Sequence, residues 1–198
     1  MKHIVLYDID SKIPNLALMK LSAYYKRQGY KVILSEEIRY KEAEKYFAST
    51  IFYTKTSQYK TAKLKSMYGG KINIGGSGIS LKKRLLPDVE QCFPDYQLYN
   101  HQHYALGFLT RGCNKKCPFC LVPKKEGWLK KKGVFEDFVP DGQSNVLLLD
   151  DNLLAFPDVE LLLNEIIYKY NNKECIHRYL RKPELLTNKM YKSYQECV

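Results

Sequence analysis

His3-Ile4-Val5-Leu6-Tyr7-Asp8-Ile9 opens the chain as a short apolar run, and the residues beyond it set up an alternation that decides the fold. A run this short, built from Ile, Val, Leu and Tyr, reads as a buried strand. Pro14 suits a helix start. After it Leu16, Met19 and Ala23 share one helical face, with Leu18, Leu21 and Tyr25 beside them. Gly29 fits the helix C-terminus. Residues 30–34 supply a second strand, 41–47 a short helix and 49–53 a third strand. Residues 58–67 form a helix stopped by Gly69-Gly70. Residues 71–74 are a fourth strand, ending in Gly75-Gly76-Ser77-Gly78. Strands alternating with helices predict an α/β fold, a Rossmann-like parallel sheet covered by helices. Ligands on such sheets bind outside the carboxyl ends of the strands.

Working onward, residues 87–103 contain Pro94 and several polar side chains and read as a linker. Residues 104–109 form a strand that runs directly into a cysteine-rich loop. A short helix is expected over 134–138 and a buried strand over 145–149. Residues 158–170 carry Val159, Leu162, Leu163, Ile166, Ile167 and Tyr170 at helical spacing. One more helix is expected over 183–194. The division is therefore residues 1–86, a linker over 87–103, and residues 104–198.

The 198 residues are 45% hydrophobic, which is material for a genuine core and argues against a disordered chain. The net charge of +11 would attract nucleic acid or an acidic partner. The lysines are scattered rather than gathered into a stripe, so nucleic-acid binding is not the favoured reading. No signal peptide and no membrane span are expected, because no apolar run approaches the ~20 residues a span needs. The expected location is cytoplasmic. In that reducing compartment the six cysteines do not read as a disulfide framework.

Three of them lie in Arg111-Gly112-Cys113-Asn114-Lys115-Lys116-Cys117-Pro118-Phe119-Cys120. Thiolates are soft ligands, and iron–sulfur clusters are held by them. Three on one short loop can wrap three corners of a cubane and leave the fourth open to an outside ligand. Structural zinc is the competing reading, with His101, His103, Cys92, Cys175 or His177 as a fourth ligand. Zinc sites usually pair cysteines as C-x2-C, a spacing only Cys117 and Cys120 have.

The spacing C-x3-C-x2-C, with an aromatic just before the last cysteine, resembles the signature of the radical S-adenosylmethionine (SAM) superfamily. The flanking Gly107-Phe108-Leu109-Thr110-Arg111-Gly112-Cys113 and Cys120-Leu121-Val122-Pro123 resemble the branch with an N-terminal cobalamin-binding-type domain. The resemblance implies a [4Fe–4S] cluster on Cys113, Cys117 and Cys120, with SAM on the open iron and Phe119 near the adenine. It also implies a low-potential electron donor of the flavodoxin or ferredoxin type. The fold it implies for the second half is a radical SAM (β/α) barrel.

Val146-Leu147-Leu148-Leu149-Asp150-Asp151-Asn152 is a strand whose carboxyl end carries two acids and an amide. The resemblance gives Asp150 and Asp151 the SAM amino group to meet, since an ammonium needs acceptors and negative charge. The same residue types also cap helices and make turns, and one acid for each job satisfies both readings. Gly75-Gly76-Ser77-Gly78 stands where a cobalamin-type domain approaches the nucleotide tail of its ligand. The D-x-H-x-x-G sequence that some such domains use to hold cobalt is missing, as it is from many cobalamin-dependent relatives, so it does not decide; an empty scaffold domain without cobalamin is the expectation.

A full barrel of this family has about six strand–helix units, whereas the chain after His103 has room for roughly two or three. The expected barrel is therefore partial and incomplete. Enzymatic radical chemistry on an unknown substrate is the leading expectation. The alternatives are a basic, non-catalytic metal-binding domain holding zinc or a cluster, with nucleic acid as its target, and an inactive truncated fragment.

Overall fold

The computed structural model describes residues 2–39, 42–100, 103–143, 145–162 and 164. The chain divides into two compact units. One is Met1–Gln102 with Phe119–Lys125; the other comprises the described residues of His103–Pro118 and of the chain from Glu126 onward. Among the described residues no helix is long and apolar enough to cross a membrane.

The first unit is a four-stranded parallel sheet. Its strands are β1 (His3–Asp8), β2 (Lys31–Ser35), β3 (Lys45–Ser49) and β4 (Ile72–Gly75), in the order β2-β1-β3-β4. The helix α1 (Leu16–Arg27) connects β1 to β2, and α2 (Lys55–Tyr68) connects β3 to β4. In register, Val5 lies between Ile33 of β2 and Tyr46 of β3.

Strand β1 is apolar almost throughout because neither of its faces meets water. Ile4 and Leu6 pack with Leu18, Leu21 and Tyr25 of α1 on one face. Val5, Tyr7 and Ile9 pack with Leu64 and Tyr68 of α2 on the other. Side chains alternating across the pleat thus feed two cores from one strand. Tyr7 is fully buried, and its hydroxyl donates to the Arg39 carbonyl at 2.8 Å and meets the Tyr68 hydroxyl at 2.6 Å. Burial, reinforced by the Tyr68 phenol, pushes the Tyr7 pKa well above the ordinary phenol value.

Both helices begin on a side-chain cap. Asn15 accepts from the amides of Ala17 and Leu18, and Thr54 accepts from that of Ser57. The first helix lies within the span expected between Pro14 and Gly29, and the second, expected over 58–67, is extended to 55–68.

Three expectations need correction. The helix expected over 41–47 is not formed: Lys45–Ser49 is strand β3, paired with both β1 and β4. Tyr46 and Ala48 gain burial between α2 and the sheet, which outweighs the helix preference of the Lys/Glu/Ala residues before them. The strand expected over 49–53 ends at Ser49, because the Asp10 carboxylate captures the amides of Ile51 and Phe52. The stretch read as a linker is ordered against α1. It carries α3 (Pro87–Glu90) and a 3-10 turn at Tyr96–Tyr99. Val89 joins the α1 core, and Asp95 accepts from Ser22 at 2.6 Å and pairs with Lys26 at 2.6 Å.

In the second unit β5 (Ala105–Gly107) pairs in parallel with β8 (Val146–Leu148). Between them in sequence, β6 (Thr110–Arg111) pairs antiparallel with β7 (Lys130–Lys131). The short helix α4 (Val122–Glu126) follows the cysteine loop in sequence, and all of it but Glu126 belongs to the first unit. The strand expected over 104–109 is shorter than read, and the helix expected over 134–138 is a 3-10 turn at Phe135–Asp137. Of the strand expected over 145–149, Val146 is buried and the two leucines after it only half-buried. Residues 159–162 and 164 are helical, while the helix expected over 183–194 lies outside the described residues. No closed barrel is formed among the described residues.

In the turn after β4 one stretch of backbone passes close against another. Gly76 has φ +96°, and a Cβ there would collide with the Thr50 carbonyl. Thr50 meanwhile donates to Gly75 and accepts from Gly78, each at 3.1 Å. Gly76→Ala is expected to cost at least ~1–2 kcal/mol, from the left-handed backbone alone. The control Gly75→Ala, whose Cβ would meet nothing within 4 Å, should be close to neutral in urea denaturation.

Candidate functional site

The cysteine loop is positioned from its root. Asp150, just beyond β8, turns its carboxylate onto the segment that leaves β5. It accepts from the Leu109 amide at 3.2 Å, from the Thr110 hydroxyl at 2.6 Å, and from the Thr110 amide. Burial pushes the Asp150 pKa up, and the donors from Thr110 and Leu109 pull against that rise. The next turn is fixed by Gly112, at φ +91°, where a Cβ would run into the carbonyls of Gly127 and Trp128. The Cys113 amide donates to the Gly127 carbonyl at 3.2 Å. Arg111 lies over the Phe108 ring at 3.9 Å and donates to both Glu126 carboxylate oxygens at 3.1 Å.

Cys113 therefore emerges from a clamped backbone. Its sulfur receives two N–H donors, the Lys115 amide at 3.4 Å and the Asn152 side-chain amide at 3.2 Å. Cys113, Cys117 and Cys120 are each half-buried, and Phe119 is 89% exposed. Among the described residues no three His, Cys, Asp or Glu side chains converge into a group able to hold a metal ion.

The donor set still fits an iron–sulfur cluster in its chemistry. All three cysteines are half-buried, the sulfur of one already accepts hydrogen bonds as a metal thiolate would, and the ligands of a metal commonly gather only as it binds. Of the fourth ligands considered for zinc, Cys92 is buried, with its sulfur donating to the Asp88 carbonyl at 3.2 Å. His101, Cys175 and His177 lie outside the described residues.

The two acids after β8 differ in burial. Asp150 is engaged with the backbone at the root of the loop, while Asp151 is exposed. Sequence reasoning placed Asn152 only as a cap or turn residue. It missed the contact with Cys113, and equally Thr110 and the Arg111–Glu126 pair. No local pattern signals contacts that span this much chain.

In the first unit, the strand order reverses between β1 and β3, the place where sheets of this kind bind ligands. There the protein fills the crevice itself. Asp10 accepts from the Ile51 amide at 2.7 Å, the Phe52 amide at 3.1 Å, the Thr50 hydroxyl at 2.6 Å and the Ser57 hydroxyl at 2.7 Å. A pocket of about 260 Å³ lies alongside, lined in part by Phe52, Thr61, Lys65 and Gly78. Gly76 and Gly78 make their close approach to Thr50 and Phe52 of this same chain.

No protein-family model matches the chain, and no curated protein proves similar to it.

Two outcomes are expected. Asp150→Ala leaves the buried Thr110 amide and its neighbour without an acceptor, at a cost of about 1–3 kcal/mol. Amide hydrogen exchange at Leu109 and Thr110 should accelerate ahead of the first unit. For Asp10, burial pushes the pKa up but is outweighed by the amides and hydroxyls around the carboxylate, which hold it below the usual range. Its stabilisation is complete above the unfolded carboxylate pKa of about 3.9 and is lost as pH falls through the lower folded value. Asp10→Asn should therefore lower stability at pH 7 by about 1 kcal/mol, after screening of a partly exposed group. That deficit should shrink towards pH 3 in parallel denaturation curves.

Proposed function

We propose that this chain binds a [4Fe–4S] cluster through Cys113, Cys117 and Cys120, with SAM at the open iron, as a protein of radical SAM type. The observation that carries the reading is the loop Cys113-x3-Cys117-x2-Cys120, rooted at the end of a strand whose parallel neighbour ends in Asp150-Asp151-Asn152. When bound, such a cluster supplies the electron that cleaves SAM to methionine and a 5′-deoxyadenosyl radical, which takes hydrogen from a substrate C–H bond.

Each residue has a definite task in this reading. The three thiolates hold iron. Gly112 and the Arg111–Glu126 pair fix the direction in which Cys113 leaves the backbone. Asp150 holds the root of the loop, and the exposed Asp151 beside it brings a second carboxylate for the SAM ammonium. Phe119, exposed between two cysteines, offers a face for the adenine. The electron comes from a low-potential donor of flavodoxin or ferredoxin type, and the excess of basic residues suits such acidic partners.

Anaerobic reconstitution with iron and sulfide tests the reading. The expected product carries about four irons and four sulfides per chain, with visible absorption that shifts when SAM is added. Replacing all three cysteines by alanine should reduce iron to background. One tightly held zinc with indifference to SAM, or iron uptake unaffected by the triple substitution, would overturn it.

A further inference from the structure

The sulfur of Cys113 has a side chain from another strand end directed at it. Asn152, four residues beyond β8, places its amide nitrogen 3.2 Å from that sulfur, and the Lys115 backbone amide adds a second donor at 3.4 Å. A metal-bound thiolate carries lone pairs and no proton, so only the N–H end of the amide can face it favourably. Asn152 stands at the N-terminal end of the 3-10 turn Leu153–Ala155, where its carbonyl accepts from the Ala155 amide at 3.2 Å, and the Asp150 tie lies two residues earlier. The donor is therefore built into the scaffold rather than swinging free from a surface.

We infer that Asn152 is a positioning residue that sets the redox poise of the Cys113-ligated metal centre, an inference that rests on the cluster reading above. An N–H dipole aimed at a ligand sulfur withdraws electron density from it. Hydrogen bonds to sulfur are one of the terms that fix the reduction potential of an iron–sulfur centre. The reduced centre carries one more negative charge than the oxidised one, so the donor stabilises the reduced state more and raises the potential. Losing it drives the potential down and makes the centre harder to reduce. No proton transfer and no change of ligand is involved.

The test compares reconstituted full-length protein with the variants Asn152→Leu, which keeps the volume and removes both N–H groups, and Asn152→Asp, which keeps the shape and replaces the donor by a carboxylate. Iron and sulfide content is measured first. The ratio of reduced to oxidised centre is then followed by electron paramagnetic resonance in a titration with mediators, without SAM. At the wild-type midpoint potential, that ratio should fall several-fold in N152L and further in N152D. A wild-type midpoint in both loaded variants overturns the role of Asn152 and leaves the cluster reading standing. Failure of both variants to hold iron makes Asn152 a structural requirement of the loop and overturns the tuning role. Wild-type protein that takes up no iron overturns both this inference and the reading beneath it.

Discussion

Strand β1 has no face toward water, and the first unit follows from that constraint. With Ile4 and Leu6 needing cover on one side and Val5 and Tyr7 on the other, a helix must lie on each face. Parallel neighbours can be reached only by crossing over, so every connection passes through a helix or a long turn. All the strands then end on one edge, and the polar residues that follow them meet there. The core also admits polar atoms only where they pair. Tyr7 and Tyr68 satisfy one another and the Arg39 carbonyl, which lets two phenols stand inside apolar packing without an orphaned hydroxyl.

The two units use the same device to shape a loop. In each, a carboxylate beyond a strand end reaches across to backbone amides of a different strand's exit: Asp10 to Ile51 and Phe52, Asp150 to Leu109 and Thr110. An ionised carboxylate accepts several hydrogen bonds at once, so one side chain can fix the direction in which a neighbouring chain leaves the sheet. For the cysteine loop this means that a residue far along the sequence decides where Cys113 begins. Gly112 and the Arg111–Glu126 pair then narrow the remaining freedom.

What could be read from the sequence was local. The periodic face of α1, the glycines that stop α2 and the buried run of β1 are each written in a few adjacent residues. So is the spacing of the cysteines, which announces thiolate chemistry before any fold is known. The failures share a cause. Lys41 to Glu44 are helix formers, and nothing nearby says that Tyr46 and Ala48 will be drawn between β1 and α2. Residues 87–100 look like a polar connector until Ser22 and Lys26 are seen to bind Asp95. The partners of Asp150 and Asn152 lie 39 to 41 positions away, beyond the reach of any periodic pattern.

The Asp10 cradle changes how the N-terminal sheet can engage a ligand. Amides and hydroxyls gathered at a strand edge would ordinarily welcome a phosphate, yet here they already hold a carboxylate joined to them by covalent chain. A tethered group of this kind competes at an effective concentration on the order of millimolar or more. A free anion must therefore evict a resident before it can bind, and the edge behaves as a closed seam rather than an open berth.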